Sequence, residues 1–113
     1  MSESQSITLP AEEVSTQTQD EKKKAPMYRV VLWNDENHTF EYIIHMMQKI
    51  FSYSKPKGET IAQQVHHHGK VTVAVLPLEI AEFKRDQIRN FGPDILVDNC
   101  ISSMFATIEK VEE

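Results

Sequence analysis

Residues 27–53, MYRVVLWNDENHTFEYIIHMMQKIFSY, change their hydrophobic period partway along, and that change sets the fold class. From Met27 to Trp33 the run is apolar, β-branched and aromatic, with Tyr28, Val30 and Leu32 alternating onto one face, as a strand against a core requires. The next six residues, NDENHT, are turn formers, and Thr39 is placed to cap a helix predicted to run to about Tyr53. Phe40, Ile43, Ile44, Met47 and Phe51 recur at helical spacing, and Met46 and Ile50 widen the stripe.

Downstream the alternation of periods continues. In SKPKGETIAQQVHHHG, residues 54–69, Ser54 offers a cap, Pro56 suits the first turn and Gly69 suits a left-handed C-terminal cap. Gly58 weakens this second helix without forbidding it. KVTVAVL, residues 70–76, reads as a strand with Val71, Val73 and Val75 on one face. Pro77 opens a third helix, PLEIAEFKRDQIRNF, which Gly92 and Pro93 close. Residues 92–101 are predicted to be a loop, and SSMFATIEK a last strand with Met104, Ala106 and Ile108 on one side. The order β-α-α-β-α-β on so short a chain predicts an α/β domain over residues 27–113, a three-stranded sheet with helices on one face. Strand direction does not follow from the pattern.

Upstream, MSESQSITLPAEEVSTQTQDEKKKAP (residues 1–26) has no aromatic residue and only scattered aliphatics. Ordering a residue costs about 1–2 kcal/mol, and this composition offers little burial to offset it, so a disordered extension is expected.

The chain has 113 residues, a formal net charge of −5 and 40% hydrophobic residues, the profile of one small globular domain. No long Lys/Arg block offers a phosphate-neutralising face, so nucleic acid is not an expected partner. No signal-peptide pattern and no apolar run of membrane-spanning length occurs, and Cys100 is the single cysteine. A cytoplasmic protein without disulfides or membrane contact is expected.

Three consecutive histidines, His66, His67 and His68, invite a metal reading. Consecutive helical residues diverge by about 100° each, so the three do not face one ion, and His38, His45 and Cys100 add no recognised ligand spacing. Solvated residues ending a helix, favourably placed against its dipole, are the plainer reading. Enzymatic signatures are missing too: Ser102, Ser103 and Cys100 sit in no nucleophile motif, Asp35 and Glu36 form a plain acidic pair in a turn, and three glycines build no phosphate-cradling loop.

Three segments taken together, YRVVLWNDENHTFEYIIHMMQKIFSY, AQQVHHHGKV and EIAEFK, are similar in order and spacing to the ClpS family, adaptors of the bacterial Clp protease. The resemblance spans about residues 27–110 and rests on the Asn34-Asp35 turn after the first strand, the V-H-x-x-G-K run from Val65 to Lys70, and the helix bearing Glu79 and Lys84. It implies a three-stranded antiparallel sheet with three helices on one face, a monomer, and neither catalysis nor a cofactor. It also implies substrates with a free, bulky hydrophobic N-terminal residue (Leu, Phe, Tyr or Trp), delivered to a ClpA-type AAA+ unfoldase, through its N-terminal domain, for degradation by ClpP. A docking module that regulates the unfoldase without reading N-termini is the alternative.

By the resemblance, the α-amino group is bound by Asn34, Asp35 and His66, which selects one histidine from the three. Those residue types suit an ammonium, which needs converging acceptors, here an amide oxygen, a carboxylate and an imidazole lone pair. The hydrophobic pocket maps onto Phe40, Ile43, Ala62, Val65 and Met104, and unfoldase docking onto Glu79, Glu82 and Lys84. Phe40 stands where the family usually has Met and Ala62 where it often has Met, so a less adaptable pocket is expected. Thr39 replaces a usual Pro and is expected to loosen the loop that carries Asn34. The 92–101 connection is longer than usual for the family.

Overall fold

The structure is a computed structural model and describes residues 25–112. The N-terminal extension expected over residues 1–26 therefore lies outside the described residues, apart from Ala25 and Pro26. The elements are β1 (Met27–Trp33), α1 (Phe40–Phe51), α2 (Lys55–His68), β2 (Lys70–Pro77), α3 (Leu78–Arg89) and β3 (Phe105–Lys110). The sheet order is β2-β1-β3, and both pairings are antiparallel. One apolar cluster joins Val30, Leu32, Val73 and Ala106 of the sheet to residues of all three helices, so the helices share one face. With partners on both sides, β1 is the most enclosed strand: Val30 and Leu32 are fully buried, and Val31 on its other face is 2% exposed.

On β2 the expected alternation breaks. Val30 pairs with Ala74 but Val31 pairs with Thr72, which leaves Val73 as the extra residue of a β-bulge. A bulge reverses the in-out parity of the residues beyond it. Val71 and Val73 therefore face the core as expected, whereas Val75 lies opposite Arg29 and is 46% exposed, and Leu76 packs on the core instead.

Both predicted caps of α2 are present. The Ser54 hydroxyl accepts from the Lys57 N–H, and Gly69 adopts φ 84°, a conformation costly for other residues. Gly58 has a purpose that propensity hides: a Cβ there would lie 3.2 Å from Ile44 Cα, so its absence lets α2 close on α1.

Thr39 caps α1, its hydroxyl accepting from the Tyr42 N–H at 3.1 Å, and the helix ends two residues early, at left-handed Ser52. Its buried face is Tyr42, Ile43, Met46, Met47 and Ile50, rotated from the expected stripe toward Tyr42. Phe40 is exposed, while Ile44 and Phe51 are half-buried. The tyrosine enters the core because its hydroxyl donates to the Gly92 carbonyl, a partner fifty positions away.

At the far side, α3 is tied down by two cations. Lys84 Nζ donates to the Ile50 carbonyl at 2.7 Å, satisfying an end of α1, and Arg89 Nε donates to the Ala106 carbonyl of β3 at 2.8 Å. No described helix is long and apolar enough to cross a membrane.

Candidate functional site

Strand pairing brings the two halves of the candidate amine site together. The last β1–β2 pair is Trp33 with Lys70, and beyond it the Asn34 N–H donates to the Gly69 carbonyl at 2.9 Å. Asn34 is thereby fastened to the cap of the helix whose last turn carries His66. His66, His67 and His68 are all exposed, and only His66 meets Phe40, edge to face, with centroids 5.7 Å apart at 71°. An apolar ring and an imidazole thus stand side by side.

Asp35 belongs to a tight network. Its carboxylate accepts from the Asn37 N–H at 2.9 Å, and His38 Nδ1 lies 2.7 Å from Oδ1. The second ring nitrogen of His38 lies 2.8 Å from the Ser102 carbonyl and 3.6 Å from Cys100 Sγ. The His38 side chain is 1% exposed and that of Asp35 31%.

Of the expected pocket residues, Ile43, Ala62, Val65 and Met104 all lie in the apolar core, each at most 3% exposed. Phe40, at 39%, is the exception and lies against His66.

The expected docking residues lie apart, on α3. Glu79 is exposed, Glu82 half-buried, and Lys84 is occupied with the Ile50 carbonyl, burial lowering its pKa from the ordinary lysine value. Exposed Leu78, Ile80 and Phe83 surround them, and a cleft of about 370 Å³ opens beside Glu79, lined also by Tyr28, Pro77 and Ile80.

Thr39, expected to loosen the loop that carries Asn34, is bonded to the 92–101 connection. Its N–H and its hydroxyl both donate to Asp94 Oδ2, at 2.6 and 2.9 Å, while Oδ1 accepts from the Leu96 N–H at 2.9 Å. Asp94, 3% exposed, is the one buried charged residue among the described residues. Burial pushes its pKa up, but the N–H groups of Thr39 and Leu96, the Thr39 hydroxyl and nearby His38 outweigh burial and leave it below the ordinary aspartate value. Sequence reading missed Asp94, His38 and Ser102. The Asp94–Leu96 turn had a local signal in its Pro-Asp dipeptide, but nothing local announces a partner 55 positions away.

Comparison with known proteins places the chain in a family. The family model for the ATP-dependent Clp protease adaptor protein ClpS matches residues 23–93. The ATP-dependent Clp protease adapter protein ClpS 1 of Rhizobium meliloti is 35% identical over 79 residues, 70% of this chain and 68% of that protein. ClpS 2 of Rhodopseudomonas palustris is 33% identical over 85 residues, 75% of this chain and 78% of that protein. Among solved structures, Agrobacterium tumefaciens ClpS2 bound to L-phenylalaninamide matches with a TM-score of 0.67 at 22% identity, over 78% of this chain and 100% of that one, a likeness of fold.

Proposed function

The chain belongs to the ClpS family of Clp protease adaptors, and from that premise we propose that it binds proteins with a free, bulky hydrophobic N-terminal residue and delivers them to a ClpA-type unfoldase for degradation by ClpP. The observation that carries this reading is the contact of Phe40 with His66. An N-terminal Leu, Phe, Tyr or Trp presents an ammonium and an apolar side chain on one carbon, and the pair offers a surface to each. Asn34, Asp35 and His66 take the ammonium, whose donors need several converging acceptors. The partial negative charge at the C-terminal end of α2 adds to the attraction. Phe40 acts as the gate through which the side chain reaches Ile43, Ala62, Val65 and Met104.

Blocking the amine removes its charge and two donors, leaving desolvated acceptors unpaired at about 1–3 kcal/mol each. The test is fluorescence anisotropy with a peptide beginning with free Leu or Phe and with its N-acetylated twin. The free peptide binds and the acetylated one does not; equal binding of the two would falsify the proposal.

A second reading, a docking regulator that ignores N-termini, draws on the exposed Leu78, Ile80 and Phe83 beside Glu79 and Glu82. Binding of the unfoldase N-terminal domain without affinity for any free-N-terminus peptide decides for it.

A further inference from the structure

Between its anchors, the connection from Gly92 to Ser103 turns apolar side chains outward: Ile95 is 93% exposed, Leu96 63% and Ile101 89%. Each anchor grips the recognition segment. Asp94, next to Ile95, holds the N–H and hydroxyl of Thr39, the residue before Phe40. Ser102, next to Ile101, meets His38 at 2.8 Å, and His38 meets Asp35. The loop is further braced by the Leu96 N–H to Asp94 and the Asp94 N–H to Cys100 Sγ, so the apolar groups are presented by a hydrogen-bonded frame. Isolated exposed apolar residues are ordinary; three on a single braced loop, rooted on a ligand site at both ends, are not.

We infer that this loop is a second contact surface for the same substrates, taking apolar side chains at the second to fourth positions of the bound chain. The inference rests on the reading of Asn34, Asp35 and His66 as the amine site. Three residues carry an extended chain about 10 Å beyond the first, and the loop borders the segment that the first residue touches. A second copy of the protein is the poorer occupant. A stable interface needs about 800 Å² from each partner, far beyond three side chains, and both copies carry a formal net charge of −5. A peptide already held by its N-terminus gains from a small extra contact because the second encounter is intramolecular.

The test uses the full chain, L-phenylalaninamide, and two peptides that begin with free Phe and differ only at positions 2–4, one carrying Leu and Val, the other Ser. Wild type prefers the apolar peptide about fivefold, the scale of partly burying one or two aliphatic side chains. The Ile95→Ser/Ile101→Ser variant binds both peptides alike, with the affinity wild type shows for the Ser peptide. Equal affinities in wild type, or a preference that survives in the variant, overturn the inference while leaving the amine site standing. Failure of wild type to bind the amide overturns the amine site and this inference with it. A dimer in sedimentation that the double substitution dissociates assigns the surface to self-association and overturns the inference.

Discussion

The main-chain N–H of Thr39 donates to Asp94 Oδ2 at 2.6 Å, across 55 positions of sequence. One buried carboxylate thereby holds the residue that precedes α1. Removing it orphans three donors at once, the N–H and hydroxyl of Thr39 and the N–H of Leu96. Asp94→Ala is expected to lower stability by about 2 kcal/mol, read as a drop in the urea midpoint at unchanged slope, and to weaken binding of a free-Leu peptide.

The same carboxylate sets an acid limit. Its pKa in the folded chain lies below the ordinary aspartate value, so the stability it supplies is fully present above that value and is lost as pH falls toward and through the lowered one. Urea midpoints taken from pH 6 down to pH 3 should fall less steeply for Asp94→Asn than for wild type. Parallel curves would show that Asp94 is not the linked group.

Gly58 offers a test in which two effects oppose. Replacing an internal helical glycine with alanine gains about 1 kcal/mol from propensity alone. Here the new Cβ meets Ile44 Cα at 3.2 Å and Cγ2 at 3.3 Å, so α1, whose Ile43, Met46 and Met47 are packed in the core, must shift by a few tenths of an ångström to admit it. Gly58→Ala is therefore expected to lower the melting temperature rather than raise it.

Lys84 has a structural duty that docking experiments must separate. Lys84→Met keeps the aliphatic stem but strips the Ile50 carbonyl of its partner, for an expected loss of about 1 kcal/mol in thermal or urea unfolding. Glu79→Ala, at an exposed position, should leave stability unchanged and weaken binding of the unfoldase N-terminal domain.

Among the three histidines, His66→Ala is expected to weaken a free-Phe peptide at least tenfold, whereas His67→Ala and His68→Ala retain near wild-type affinity. Only His66 meets Phe40. Loss of binding in all three variants to the same degree would remove His66 from the amine site.

The features legible in the sequence are those that depend on neighbours within about four residues. Thr39 and Ser54 as helix starts, Gly69 as a left-handed stop, and the shift from period two to period 3.6 at Phe40 are all of this kind. Hydrogen bonds of a cap and the side-chain period of an element close locally, so the element order and the α/β class followed from them. The assignment of Asn34, Asp35 and His66 came by resemblance to the family, and the hydrogen bond from Asn34 to Gly69 ties the first of them to the cap of the helix that carries His66.

The tertiary structure decided whatever depends on atoms far apart along the chain. The bulge at Val73 turned Val75 outward because register is set by pairing with β1, and Tyr42 took a core position because its hydroxyl reaches Gly92. Gly58 became a close-packing site because α1 lies against it. Thr39, read alone, gave a helix cap and the loss of a usual Pro; with Asp94 brought to it, its N–H and hydroxyl hold two further hydrogen bonds. A sequence displays its donors and acceptors without their partners, and which of them meet is settled only when the core closes.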